Sequence, residues 1–202
     1  MTTNWEQQYL EDDTPWDKGS AAPPLIEWMD RNPDLISGRI LVPGCGLGHD
    51  VRALATLKQN VEPIGVDISL TALEKARSIQ HVGIESYLVA DLFTMENAHT
   101  EAYDWVWEHT CFCAIDPSMR DKYVEAVHKI LKPDGHFLGV FYLDPYDDEH
   151  PPGSGPPHGS SIRELETRFV ESGKFEILEC YVPDKSYPGR EGLEQIIRFA
   201  KK

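Results

Sequence analysis

Short apolar runs alternate with stretches of helical spacing along most of the chain. "RILVP" (39–43), "EPIGVD" (62–67), "SYLVAD" (86–91), "AYDWVWEH" (102–109) and "HFLGVFYLD" (136–144) read as five strands. Between them the spacing changes to the helical period. A helix is expected from Asp50 to Leu57. Ser69 can cap the helix over "LTALEKARSI", where Leu70, Leu73, Ala76 and Arg77 keep helical spacing. Asp116 and Pro117 open another helix, Val124, Val127 and Leu131 form its stripe, and Pro133 and Gly135 are its expected stop. Residues 160–172 read as a helix, and "FEILECYV" (175–182) and "EQIIRFAK" (194–201) as two antiparallel strands.

Strands alternating with helices predict an α/β domain with a mostly parallel sheet. In such sheets ligands bind beyond the carboxyl ends of the strands, where strand order reverses. The residues that follow each strand are therefore the candidates for chemistry: Gly44–His49, Asp67, Asp91, Glu108–Thr110 and Asp144.

Length and composition narrow the class. The 202 residues suffice for one domain, 1–202, and 41% hydrophobic with 26% charged residues is ordinary for a globular protein. No apolar run approaches the ~18 residues of a membrane span. The start, "MTTNWEQQYLEDD", is polar and acidic, unlike a signal or transit peptide. A cytoplasmic location and a monomer are expected. The net charge of −15 disfavours nucleic acid and anionic lipid as partners. Four cysteines are too few for a disulfide scaffold, and Cys111 and Cys113 lack the second ligand pair of a zinc site, so no metal is expected. If their strand continues, Cys111 and Cys113 share one face, and packing suits them better than catalysis.

The turn "ILVPGCGLGHD" (40–50) carries the most specific local signal. Gly44, Gly46 and Gly48 let backbone approach a ligand closely. A dinucleotide loop spaces its third glycine three residues after the second, where His49 stands here. Asp67 ends the second strand and can accept from both ribose hydroxyls of an adenosine, or simply cap the following helix. Asp91, with Leu92 and Phe93, suits an adenine, the carboxylate facing the exocyclic amine, or is a turn Asp beside core residues. A ligand with an amino acid in place of the pyrophosphate fits the altered loop.

The glycine turn and the two acids together resemble the class I methyltransferases. "WEQQYLEDDTPWDKGSAAPPL", "ILVPGCGLGHDV", "GVDIS", "WEHTCFCAIDPSMRDKY" and "LKPDGHFLGVFYL" are similar to the thiopurine methyltransferase superfamily, above all its thiol and halide methyltransferase branch. The resemblance covers nearly the whole chain. It implies a Rossmann-like class I fold: a mostly parallel seven-stranded sheet, an antiparallel C-terminal hairpin strand and helices on both faces. It implies S-adenosyl-L-methionine as cofactor, held by Trp5, Trp16, Gly44, Cys45, Gly46, Asp67, Ile68, Asp91, Leu92, Phe93, Glu108 and His109. Trp5 and Trp16 match tryptophans that cover the cofactor, within an N-terminal segment, 1–20. His109 stands where relatives carry Tyr or Arg. It either meets the methionine carboxylate or lines the acceptor pocket, where it is the candidate base for a neutral thiol. Tyr142 matches a tyrosine near the acceptor, and strand alternation also suits it as core. His109 and Tyr142 are the candidate catalytic pair.

The aromatic N-terminus makes sense independently, because a sulfonium is a cation and aromatic faces attract cations by ~0.5–2 kcal/mol. An amphipathic helix docked through buried tryptophan fits the same residues. The Pro- and Gly-rich segment 144–161 is either a lid or acceptor loop, or a surface insertion. The implied reaction is in-line methyl transfer to a small-molecule acceptor: a thiol, hydrosulfide or halide. A thiopurine or aromatic thiol is the alternative acceptor. A non-catalytic S-adenosylmethionine-binding module is a further reading, and a dehydrogenase is disfavoured by His49.

Overall fold

A computed structural model describes residues 3–57, 60–95 and 97–202. Seven strands form one sheet: β1 (Gly38–Pro43), β2 (Val61–Asp67), β3 (Ser86–Val89), β4 (Tyr103–His109), β5 (Leu131–Tyr142), β6 (Phe175–Tyr181) and β7 (Glu194–Lys201). Their order is β3-β2-β1-β4-β5-β7-β6. The first five are mutually parallel, and β7 runs antiparallel to both β5 and β6. Strand order reverses between β1 and β4, so the turns that leave these two strands face each other across the switch point.

The helices are α1 (Trp5–Leu10), α2 (Pro23–Arg31), α3 (His49–Ala55), α4 (Leu70–Ser78), α5 (Arg120–Ile130) and α6 (Ile162–Leu165), which continues as a π-helical turn over Glu166–Glu171. Alternation along the strands divides the core in two. Leu41, Val106, Phe137, Phe141 and Ile197 pack under α5 and Phe169. Their strand neighbours Ile40, Val42, Trp105, Trp107, Leu138, Val140 and Ile196 pack against Leu25 and Trp28 of α2 and Val51 and Leu54 of α3. A period-two strand buried on both faces needs such a pair of cores. The expected architecture, with helices on both faces, is present.

Several boundaries differ from those read in the sequence. Helix α5 ends at Ile130, and Leu131 is its extended C-cap, so the helix stops before Pro133 rather than at it. A residue preceding proline avoids the helical region, which turns the chain early. Strand β3 ends at Val89, because the Asp91 carboxylate accepts from the Phe93 N–H (2.9 Å) and opens a short 3-10 turn. β4 stops at His109, and Phe112–Ala114 form another 3-10 turn. Cys111 and Cys113 therefore do not share a strand face. Among the described residues, no helix is long and apolar enough to cross a membrane, and no cluster of three or more His, Cys, Asp or Glu could hold a metal.

Candidate active site

The turn after β1 is built on three left-handed glycines, Gly44, Gly46 and Gly48, with φ of 58°, 50° and 73°. At Gly46 the need is doubled: a Cβ would lie 2.6 Å from the Tyr9 hydroxyl. The Gly46 N–H donates to Asp67 Oδ2 and the Ser69 N–H to Asp67 Oδ1, both at 2.9 Å. One carboxylate thus ties the glycine turn to the turn after β2. Burial raises the Asp67 carboxyl, opposed by the Ser69, Gly46 and Ile68 N–H groups. Ile68, next in the chain, is 54% exposed, an apolar side chain presented at the mouth of the same turn.

The N-terminal segment lies over this turn. Glu6 on α1 accepts from the Ser69 and Thr71 hydroxyls, each at 2.6 Å, which docks α1 on the start of α4. The Trp16 indole donates to the Tyr9 hydroxyl (3.0 Å), and Trp5 packs edge-on against Trp16 at 5.2 Å. Burial pushes the Tyr9 phenol well up, so it stays neutral. His49 also has a place here. Its Nε2 lies 3.1 Å from Asp17 Oδ1 and its Nδ1 3.2 Å from Arg52. A guanidinium only donates, so Nδ1 accepts and Nε2–H donates to Asp17. His49 pins the N-terminal segment to α3.

The remaining adenine-side candidates separate. Asp91 is exposed and Phe93 half-buried, whereas Leu92 is 8% exposed and faces the core beside Val66. Cys45 is half-buried, and burial pushes its thiol well up.

Across the switch point, the end of β4 makes the other half of the site. Glu108 points inward and is fully buried, accepting from the Phe112 N–H (2.7 Å) and the Tyr123 hydroxyl. Burial lifts its carboxyl to about 7. Its oxygens brace the turn after β4 from within. Thr110 then takes φ +65°, a left-handed conformation that costs a β-branched residue about 1–3 kcal/mol. His109 Nδ1 lies 3.1 Å from Asp50 Oδ2 in the first turn of α3. Its ring stacks on Tyr187 at 6.0 Å, and its Nε2 is buried without a partner among the described residues.

His109 and Tyr142 line one small cavity of about 10 Å³, room for roughly one water-sized centre. Cys113, Ser160, Arg190 and Glu194 line it too. Burial pushes the Cys113 thiol to about 12, which leaves it a packing group rather than a thiolate nucleophile. Arg190 lies over the Tyr142 ring at 4.8 Å and pairs with Glu194 at 3.2 Å. Sequence patterning does not single out Asp50, Arg190 and Glu194. The acid directly after "GLGH" is the available signal for Asp50, since a charged residue behind a glycine turn sits at the sheet's ligand edge.

The 144–161 segment divides. Its middle is exposed, while the buried Arg120 clamps its far end by donating to the carbonyls of His158 (2.8 Å) and Gly159 (3.0 Å), which brings Ser160 to the cavity.

This geometry agrees with the similarity to known proteins. The family model described as Thiopurine S-methyltransferase matches residues 1–199. The chain belongs to that family. Its members are S-adenosylmethionine-dependent methyltransferases. The chain is 35% identical over 201 residues to thiocyanate methyltransferase 1 of Arabidopsis thaliana, covering 98% of this chain and 84% of that protein. It is 33% identical, with the same coverage, to the probable thiol methyltransferase 2 of the same plant. In three dimensions it is similar to the N-methyltransferase NodS from Bradyrhizobium japonicum, solved with S-adenosyl-l-homocysteine. That likeness has a TM-score of 0.69 and 16% identity, covering 98% of this chain and 99% of that one. It concerns the fold.

Proposed function

We propose that this methyltransferase acts on a small soft nucleophile: a thiol, hydrosulfide or halide. S-adenosylmethionine, when bound, supplies an electrophilic methyl group on a sulfonium. The residues around the glycine turn suit that cofactor. Gly44, Cys45 and Gly46 offer close backbone approach to its amino-acid end. Asp67 has acceptor capacity left for a ribose hydroxyl, since its two oxygens offer about four lone-pair sites and three backbone N–H groups approach them. Ile68, Phe93 and Asp91 flank the adenine position, and Trp5, Trp16 and Tyr9 bring aromatic faces towards a cation.

The observation that carries the acceptor assignment is the cavity between His109 and Tyr142. Its room for about one water-sized centre favours a small acceptor over a fused aromatic ring. The Tyr142 hydroxyl offers a donor to an anionic or polarised sulfur, beside Arg190, which is paired with Glu194. The names of the plant relatives point the same way. Methyl transfer to such a nucleophile demands alignment and water exclusion above all, and alignment alone can lower a barrier by ~7–11 kcal/mol.

The test is a series of acceptors of rising size: hydrosulfide, a short alkyl thiol, thiophenol and a thiopurine. S-adenosylhomocysteine formation should give a kcat/KM that falls at least tenfold from the smallest thiols to the thiopurine. A thiopurine preferred over hydrosulfide would replace this reading with the aromatic-thiol one. Cofactor binding with no turnover on any of them would make the protein a binding module.

A further inference from the structure

Cofactor binding and cavity size leave one arrangement unexplained. Asp50 lies in the first turn of α3 and His109 ends β4, so the switch point brings them together, 59 residues apart in the chain. Asp50 Oδ1 accepts from the Ala22 N–H (2.7 Å) and Oδ2 from the Trp107 indole (2.8 Å), beside His109 Nδ1 (3.1 Å). Burial alone would raise this carboxyl, but His109 and the Ala22 and Trp107 donors hold it below its ordinary range. An ionised carboxylate only accepts, so the proton of a neutral His109 sits on Nδ1. The basic lone pair is then on Nε2, the buried nitrogen without a partner. Tyr187 stacks on the ring, and its own hydroxyl is anchored on the Ser20 carbonyl at 2.7 Å, so the ring is fixed from a second side.

A histidine held at Nδ1 by a buried carboxylate, with Nε2 free, is the arrangement of an oriented general base. Halides and other permanent anions have no use for one. A thiol with an ordinary pKa near 8.5 does, because only about a few per cent of it is thiolate at neutral pH. We propose, resting on the methyltransferase reading above, that Asp50 is a positioning residue which presents His109 Nε2 to a protonated thiol, and that the acceptor class of this chain is the neutral thiol, organic or hydrogen sulfide itself, rather than halide. The S–H bond breaks, its proton goes to Nε2, and the electron pair stays on sulfur as the thiolate that accepts the methyl group. Asp50 stabilises the resulting imidazolium, which returns its proton to water after the product leaves.

Two readouts test this. Long-range proton–nitrogen correlation NMR on the wild-type protein without cofactor should show His109 protonated at Nδ1 with a basic Nε2. Asp50→Asn should move the proton towards Nε2, as a carboxamide does when it replaces an orienting carboxylate. The second readout is the rate ratio between a short alkyl thiol and iodide. That ratio should fall about 100-fold in Asp50→Asn and in His109→Gln, within the usual range for a lost base, and Asp50→Glu should recover part of it. A wild-type His109 protonated at Nε2, or both acceptors slowed in equal proportion, overturns the proposal while the methyltransferase reading stands. No turnover of wild type on any acceptor overturns both. The wild-type NMR measurement needs no variant, so a variant that misfolds does not block the test.

Discussion

The two turns that meet at the switch point are built on opposite lines. In the turn after β1 the hydrogen-bonding groups satisfy one another. Asp67 takes the Gly46 and Ser69 N–H groups, Glu6 takes the Ser69 and Thr71 hydroxyls, Tyr9 takes the Trp16 indole, and Asp17 takes the His49 N–H. In the turn after β4 the groups are left wanting. Among the described residues, His109 Nε2 and, beside it at the start of β7, Glu194 Oε2 are buried without partners, and Thr110 is held in a left-handed conformation. Buried polar atoms are almost always paired, so unpaired ones beside a cavity leave room for a water or a ligand to complete them. On the proposed reading, the difference separates a cofactor half that is organised in advance, and so loses little on binding, from an acceptor half whose groups the reacting partner would complete.

The largest effect is expected at Asp67. Asp67→Ala removes the acceptor for two backbone N–H groups along with the proposed ribose contact. Charge-assisted bonds of this kind are worth ~1.5–3 kcal/mol each. Calorimetry with S-adenosylhomocysteine should show affinity weakened by at least ~100-fold. An affinity close to that of wild type would mean that the glycine turn organises itself without Asp67.

Glu108 sharpens the contrast through stability. Its carboxyl is lifted from 4.5 to about 7 by burial. The unfolded chain gives up this proton first as pH rises, so the stabilisation is full below about 4.5 and is lost through about 7. Glu108→Gln removes that dependence. Thermal melts should show the variant gaining on wild type between about pH 4.5 and 8, by up to about 3 kcal/mol. Parallel wild-type and variant profiles would show that Glu108 titrates normally.

Gly46→Ala comes next. A Cβ there meets the Tyr9 hydroxyl at 2.6 Å and forces a left-handed alanine, a backbone cost of ~1–2 kcal/mol. Cofactor affinity should drop roughly 10-fold, and partial proteolysis should cut the N-terminal segment faster, as Tyr9 is displaced. Tyr142→Phe carries the smallest effect. It removes one hydroxyl from the acceptor cavity and should raise the acceptor KM a few-fold, by about 1 kcal/mol or less, with cofactor affinity unmoved. A loss of cofactor affinity instead would place Tyr142 in the other half.

These two halves are unequally legible in the sequence. The glycine turn, Asp67 and Asp91 follow their strands directly, so period-two patterning and the rule for parallel sheets reach them without knowledge of tertiary contacts. Helix α2 is harder to see, because Pro23 and Pro24 read as breakers although both fit a first turn that needs no N–H donors. The acceptor half depends on contacts distant in sequence. Arg190 and Glu194 sit beside Tyr142 only because β7 inserts between β5 and β6, which pairs Tyr142 with Glu194. The Asp50–His109 contact likewise exists only once β1 and β4 are neighbours. A strand-end position makes Glu108 a candidate cofactor group, but its side chain takes the inward face of β4, and no local pattern distinguishes a carboxylate turned in from one turned out.

Methyl transfer to a small soft nucleophile, as proposed, is read in the gas above the reaction. Purified protein with S-adenosylmethionine and either hydrosulfide or a short alkyl thiol should release methanethiol or the methyl thioether into the headspace, in step with S-adenosylhomocysteine. A folded protein that binds the cofactor and releases no methylated sulfur or halide product would contradict it.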